Sequence, residues 1–273
     1  MEIPCHQVDA FARRAFEGNP AAVCPLSSFL DDAMMQAIAA ENALSETAFF
    51  VKRGDGDYDL RWFTPAHEVD LCGHATLATA YVLRHVIADR RELLRFHTKS
   101  GVLTVRATDD ALTLDFPSRP PVPASAPEGL LEALGLTADE QREVEVLRSR
   151  DLVIVLSSSD RVRALVPDLG RIARFDSLFA VSVTARGGGR DTDVDFVSRF
   201  FAPREGVPED PVTGSAHCTL APLWAARLGK TVLRARQVSK RGGEILCTLE
   251  GDRVLLEGHA VLVKTGTFFV PTP

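Results

Sequence analysis

The sequence contains no apolar stretch of about 18 residues and no run of lysine or arginine. The first absence argues against a membrane-spanning helix. The second, with a net charge of -6 and a pI near 5.7, leaves no electrostatic footprint for nucleic acid or an anionic membrane. Met1-Glu2-Ile3-Pro4 lacks the basic end and apolar run of a secretory leader. The five cysteines, Cys5, Cys24, Cys72, Cys218 and Cys247, are odd in number and scattered, which suits free thiols in a reducing compartment better than a disulfide framework. The expectation is a cytoplasmic protein without nucleic-acid or membrane partners. His67, Cys72 and His74 with Glu68 and Asp70 can be drawn as a metal site, but no Cys-x-x-Cys pair or His-Glu-x-x-His helix accompanies them. The expectation is therefore no metal and no cofactor.

What the chain has is one phrase written twice. Arg61-Trp62-Phe63-Thr64-Pro65 returns as Arg199-Phe200-Phe201-Ala202-Pro203. Each copy runs through a valine six residues after its aligned Phe, Val69 and Val207, into a small-residue turn. That turn is Cys72-Gly73-His74-Ala75 in the first copy and Thr213-Gly214-Ser215-Ala216 in the second. An apolar segment of helical character follows each. With 273 residues, 45% of them hydrophobic and 25% charged, the chain can hold two modest cores. Two related domains facing each other across a cleft are the simplest reading.

The seam is the proline-rich run from Phe116 to Pro127, since proline removes ladder donors and fixes an extended backbone. It sets an expected first domain at 1–117, a linker at 118–127 and a second domain at 128–263, with a strand at 264–273 returning to the first. Strands are expected at 8–11 and 21–24 around the turn Glu17-Gly18-Asn19-Pro20, and at 47–51, 58–63, 101–106 and 111–116. In the second half they are expected at 152–156, 162–166, 178–184, 194–201, 232–238, 244–249 and 253–257. Leu30, Met34 and Ile38 lie four apart on one face of a helix over 30–42. Arg186-Gly187-Gly188-Gly189-Arg190 reads as a hairpin loop, because no βαβ unit surrounds it. The class is α+β, mostly antiparallel by connection length.

Two segments, 74–88 and 215–228, are apolar on nearly every face, the mark of a buried helix. Pro222 should bend or loosen the second. A buried helix whose amino end opens into a cleft offers unpaired N–H groups and the positive end of the dipole, a ready site for a carboxylate. Gly73, His74, Gly214 and Ser215 would supply those donors. Taken alone, each glycine is better explained as a tight helix entry; its repetition at matching places in the two halves brings the two readings level.

Together, Asn19-Pro20, Leu44-Ser45-Glu46-Thr47-Ala48-Phe49, Phe63-Thr64-Pro65 with Glu68 to Thr76, and Glu209-Asp210-Pro211-Val212-Thr213-Gly214-Ser215-Ala216-His217 resemble the phenazine biosynthesis PhzF-like family. The resemblance spans Val8 to the Gly-Gly-Glu at 242–244. It implies the diaminopimelate epimerase-like fold, in which two pseudo-symmetric domains each wrap a curved sheet around a central helix and hold the active site between them. It further implies a cofactor-independent isomerase, commonly homodimeric, with trans-2,3-dihydro-3-hydroxyanthranilate as the best-known substrate of the family.

The resemblance places the proton-moving glutamate at Glu46. A carboxyl in a closed, partly apolar cleft can take a proton from a substrate carbon and return one elsewhere; an ordinary solvated Glu at a strand edge is the plain alternative. His74 and Asp210 match the family's other polar catalytic positions, as orienting and proton-assisting groups. His74, at a helix amino terminus, is expected to stay neutral because the dipole disfavours its cation. Asn19 and Ser45 are expected substrate contacts, with a turn former and a local cap as their alternative roles. Related epimerases and proline racemases of this fold use two cysteines, one before each glycine turn. Here Cys72 is opposed by Thr213, whose hydroxyl is far too weak an acid to replace a thiol. Two-thiol chemistry is thereby disfavoured and Cys72 reads as a small packed residue. The expected substrate is a small carboxylate-bearing metabolite. A non-catalytic metabolite-binding protein and an epimerase of amino-acid-like substrates are the competing functions.

Overall fold

The computed structural model describes residues 1–270. It divides into two compact units, one of residues 1–115 with the segment from 257 onward, the other of residues 116–256. Among the described residues no helix is long and apolar enough to cross a membrane.

The first unit runs β1 (Glu2–Ala10), β2 (Asn19–Leu26), α1 (Asp32–Asn42), β3 (Glu46–Lys52), β4 (Tyr58–Phe63), β5 (Glu68–Val69), α2 (Gly73–Tyr81), β6 (Leu93–Thr98), β7 (Gly101–Ala107) and β8 (Leu112–Pro117). The second runs β9 (Val122–Pro123), α3 (Leu130–Ala133), α4 (Ala138–Glu143), β10 (Glu145–Arg148), β11 (Leu152–Val155), α5 (Ser159–Ala164), α6 (Leu169–Ile172), β12 (Val181–Arg186), β13 (Phe196–Ala202), β14 (Val207–Asp210), α7 (Gly214–Leu228), β15 (Val232–Gln237), β16 (Gly243–Glu250) and β17 (Arg253–Gly258). The last strand, β18 (Ala260–Phe269), lies antiparallel along β1 in the first unit.

The duplication read in the sequence is a duplication of topology. In the first unit β2 and β3 pair parallel, β3 and β4 antiparallel, β4 and β6 parallel, β6 and β7 antiparallel. In the second, β11 with β12, β12 with β13, β13 with β15 and β15 with β16 repeat that series. Each sheet packs on its own apolar helix: α2 lies against β1, β2, β3, β7 and β18, and α7 against β12, β15 and β16. Residues 74–80 of α2 and 216–225 of α7 are all buried, as an all-round apolar surface requires.

The repeated phrase owes its persistence to a charge pair on a strand edge. Arg61 of β4 grips Glu68 of β5 with both ends of its guanidinium, Nε to Oε1 at 2.7 Å and Nη2 to Oε2 at 2.8 Å. Arg199 of β13 grips Glu209 at 2.7 and 2.9 Å. Each guanidinium also covers a phenylalanine two residues on, Phe63 at 5.2 Å and Phe201 at 4.9 Å. Such bidentate, ring-stacked pairs need Arg rather than Lys.

This geometry corrects the sequence alignment of the two copies. Glu68 follows Arg61 by 7 residues and Glu209 follows Arg199 by 10; the extra residues form the 3-10 turn Pro203–Glu205. Trp62 pairs with Val69, whereas Phe200 pairs with Asp210. The counterpart of Val69 is thus Asp210 and not Val207.

Other expectations change for local reasons. Residues 162–166 are not a strand: Ser158 caps α5 by accepting from the Arg161 N–H, and Val162 is that helix's buried face. Residues 74–88 hold α2 only to Tyr81, then a π-helical turn over Val82–Val86. The strand Leu93–Thr98 was not expected, although Leu94 and Phe96 alternate in burial with Arg95 and His97. The proline run at 118–127 falls within the second unit, where Val122 pairs with Arg148 and Pro123 with Leu147. The returning strand starts at Ala260 rather than 264, and the end of the expected segment, 271–273, lies outside the described residues. Pro222 sits inside α7, where the Cys218 carbonyl loses its helical donor; that carbonyl instead accepts from the Arg119 N–H at 2.9 Å.

Because Arg61 and Arg199 are largely buried, Glu68→Gln and Glu209→Gln should each lower the unfolding free energy by about 2 kcal/mol. Urea denaturation of the two variants checks this.

Candidate active site

Three side chains of the first unit converge from three chain segments. Asn19 opens β2 after a tight connection in which Phe11 is left-handed (φ 58°) and the Phe16 N–H donates to the Asp9 carboxylate at 2.7 Å. Gly18 is needed there: its φ is +65°, and a Cβ would stand 2.2 Å from the Ala10 carbonyl oxygen. Glu46 opens β3 immediately after α1. Asp31 caps that helix at its start and Ala43, left-handed, closes it, its N–H donating to Ala39 and Ala40. Asn42 then donates to the Thr47 hydroxyl at 3.0 Å, fixing the Ser45-Glu46-Thr47 segment. His74 is the second residue of α2 and follows Gly73.

The His74 ring is held from both sides. The Asn19 amide nitrogen lies 3.2 Å from His74 Nδ1 and the Cys72 sulfur 3.5 Å from the same atom. Glu46 Oε2 lies 3.0 Å from Nε2. Glu46 thus faces Nε2 while Asn19 and Cys72 face Nδ1, so a ring protonated on both nitrogens donates toward Glu46 on one side and, with the Asn19 amide turned to accept, toward Asn19 on the other. The 3.0 Å contact is an ion-pair approach rather than a well-aligned hydrogen bond, so Glu46 Oε2 and His74 Nε2 keep hydrogen-bonding capacity to spare.

Burial works against a cation on His74, yet its partners Cys72 and Glu46 outweigh burial and hold the imidazole well above its usual value. Burial also pushes the Cys72 thiol up, reinforced by Glu46. Burial thus disfavours a thiolate at Cys72, and Cys72 and Glu46, in that order, are the partners that raise His74. This overturns the neutral His74 expected from the helix dipole: a carboxylate at 3.0 Å is a stronger influence than the partial charge of a helix end.

In the second unit Asp210 ends β14 and is buried. Thr213 precedes α7 and donates its hydroxyl proton to Asp210 Oδ2 at 2.5 Å. Gln237, the last residue of β15, is fully buried and touches both. Gly214 and Ser215 form the first turn of α7, as Gly73 and His74 do in α2, and neither Cys72 nor Thr213 caps its helix with its side chain. One turn into α7, His217 donates from Nδ1 to the Thr213 carbonyl at 2.8 Å, and burial lowers it to about 4.

Sequence reasoning missed Gln237 altogether; a lone polar residue ending an apolar strand, beside Ala235 and Val238, was the available signal. Of the residues that can be drawn from the sequence as a metal site, Cys72 and His74 do lie together, joined by Glu46 rather than Glu68. Glu68 is occupied by Arg61 and Lys99, whereas Glu46, Cys72 and His74 offer ligand atoms all within 4.8 Å of one another. A cation there would compete with the Glu46–His74 contact and with Asn19 on the other ring nitrogen.

The two histidines have opposite pH signatures. His74 keeps its proton in the folded state to higher pH than when unfolded. Its stabilising effect is complete below about pH 6.5 and fades as pH rises through the folded value. An NMR titration should find its midpoint well above 6.5 in the native protein and lower in Glu46→Gln. His217 is held neutral, so it costs stability as pH falls from about 6.5 to about 4, on the order of 3 kcal/mol in all. His217→Gln should flatten the urea-unfolding profile over that range.

Residues 8–266 match the family described as phenazine biosynthesis-like protein. An uncharacterized isomerase of Pseudomonas aeruginosa is 54% identical over 98% of this chain and 99% of its own. The crystal structure of a phenazine biosynthesis protein of the PhzF family from Enterococcus faecalis is 44% identical, with a TM-score of 0.92 over 99% of this chain and 100% of that one. A hydroxyproline epimerase from Agrobacterium vitis, 11% identical with a TM-score of 0.61 over 97% of this chain and 92% of that one, shares the fold alone. The fold is thus the α+β, diaminopimelate epimerase-like one, and the chain belongs to the phenazine biosynthesis-like family of the PhzF type, as an isomerase.

Proposed function

We propose that the protein moves a proton between two carbons of a small carboxylate-bearing metabolite of the trans-2,3-dihydro-3-hydroxyanthranilate type, without a cofactor, using Glu46 as base and then as acid. The observation that carries this reading is the Glu46–His74 contact at 3.0 Å, with Asn19 fixing the far side of the ring. The imidazole held against Glu46 orients the carboxyl toward the substrate and can donate to it. Glu46 then takes a proton from a tetrahedral carbon, and the electron pair of that C–H bond passes into the adjoining double bonds. The same carboxyl, its proton exchanged with solvent, delivers a proton at the far end of the shifted system, so the enzyme ends as it began. Positioned proton transfer of this kind contributes roughly 10²–10⁴-fold.

In this reading the substrate carboxylate is met by first-turn N–H groups among those of Gly73, His74, Gly214 and Ser215. Asp210 holds a hydroxyl or amine of the substrate, and Ser45 and Asn19 line its polar side. Cys72 has no thiolate role. Burial keeps its sulfur protonated, and its counterpart Thr213 spends its hydroxyl proton on Asp210.

Incubation of trans-2,3-dihydro-3-hydroxyanthranilate and related cyclic acids in deuterated water should give isomerised product carrying solvent deuterium. Glu46→Gln should slow this by about 10³-fold or more while still binding the acid. Binding without exchange in the native protein at any pH would instead identify a metabolite-binding protein.

A further inference from the structure

Asp210 has no carboxylate counterpart in the first unit, where Val69 occupies the matching place on the strand edge. What surrounds it is also unmatched. Gln237 is fully buried, and an amide in that position is costly unless its groups are satisfied. Its Oε1 accepts from the Thr213 N–H at 2.9 Å, which settles the orientation of the amide. Its Nε2 donates to the Asp210 backbone carbonyl at 2.6 Å and to the Thr213 hydroxyl at 3.1 Å. Since the Thr213 oxygen accepts from Gln237, its one proton is left for Asp210 Oδ2, 2.5 Å away. The donors therefore run in one direction, from Gln237 through Thr213 to Asp210.

We propose that Gln237 and Thr213 are positioning residues for the Asp210 carboxylate. The amide sets the backbone on both sides of the turn, and the hydroxyl fixes the rotation of the carboxylate that meets a substrate hydroxyl or amine. This explains why threonine stands where related two-thiol enzymes place a cysteine. The position serves a hydrogen-bond link, for which a β-branched hydroxyl with a stiff χ1 is suited and a thiol is a poor donor. The inference rests on the reading that Asp210 meets the substrate.

Two measurements on the full chain test it. With aspartate labelled at its carboxyl carbon, the Asp210 signal, assigned as the one lost in Asp210→Asn, should move in Thr213→Val and Gln237→Leu but not in Thr213→Ser. With trans-2,3-dihydro-3-hydroxyanthranilate as probe in deuterated water, Thr213→Val and Gln237→Leu should lower kcat about tenfold or more with a smaller change in KM. Thr213→Ser should stay within about threefold of native. An Asp210 signal unmoved by Thr213→Val overturns the inference without any need of turnover. So does a Thr213→Val rate equal to native, or a Thr213→Ser rate as low as that of Thr213→Val. If Asp210→Asn itself turns over like the native protein, the role of Asp210 falls, and the positioning role with it; an impaired Asp210→Asn beside a native-like Thr213→Val defeats the positioning role alone.

Discussion

The constraint from which the rest follows is that each unit buries an entire helix, amino end included. An all-round apolar helix must be covered, so the sheet curves over it. Its first-turn amides cannot be covered by apolar side chains without leaving donors unpaired, at a cost of about 1–3 kcal/mol each. Those donors must meet side chains, water or a ligand. Cys72 and Thr213 stand where a capping side chain would stand, and neither caps. Polar chemistry collects at the places that packing alone would leave blank.

Duplication supplied the frame, and divergence supplied the chemistry. The bidentate Arg–Glu pair and its stacked phenylalanine survive in both copies because they hold the strand edge that leads into the helix. Beyond that pair the copies part. The first has an ionised contact, Glu46 with His74, backed by Asn19. The second has a hydrogen-bonded carboxylate, Asp210, backed by Thr213 and Gln237. The three extra residues before Glu209 keep the salt bridge in register despite the longer turn, and they place an aspartate where the first copy has a valine.

Much of the fold is legible in the chain because strands with one buried face alternate visibly: the strand 58–63 has the expected bounds, and β3, β7, β12, β15 and β16 lie within a few residues of theirs. The failures have physical causes. Val162 sits in an apolar run that looks like a strand, but the Ser158 cap decides for helix. The two-residue pairing at β9 is set by a distant strand, which overrides the prolines' look of a linker. For the site, the residue types at 46, 74 and 210 are visible only through resemblance to a family; nothing local marks Glu46 out. That Glu46 meets His74 depends on β3 and α2 packing together, 28 residues apart in sequence, and no pattern of periodicity encodes such a meeting. Gln237 leaves only a weak local mark, a polar residue ending an apolar strand, and its meeting with Thr213 and Asp210 is likewise a matter of packing.

The two buried histidines show how little burial decides by itself. His74 and His217 both lie in the first turns of central helices, and desolvation disfavours the cation in each. At His217 only a backbone carbonyl opposes it, and that dipole is too weak to hold a second proton on the ring. At His74 a full carboxylate stands 3.0 Å away, and the balance reverses. The same low-dielectric surroundings that make an unpaired charge expensive make a paired one strong. A helix start therefore carries a carboxylate-paired imidazole in one copy and a neutral hydrogen-bonding post in the other. The difference is one glutamate delivered by the neighbouring strand, and evolution of function within this frame needs no new fold, only a new side chain facing an old helix end.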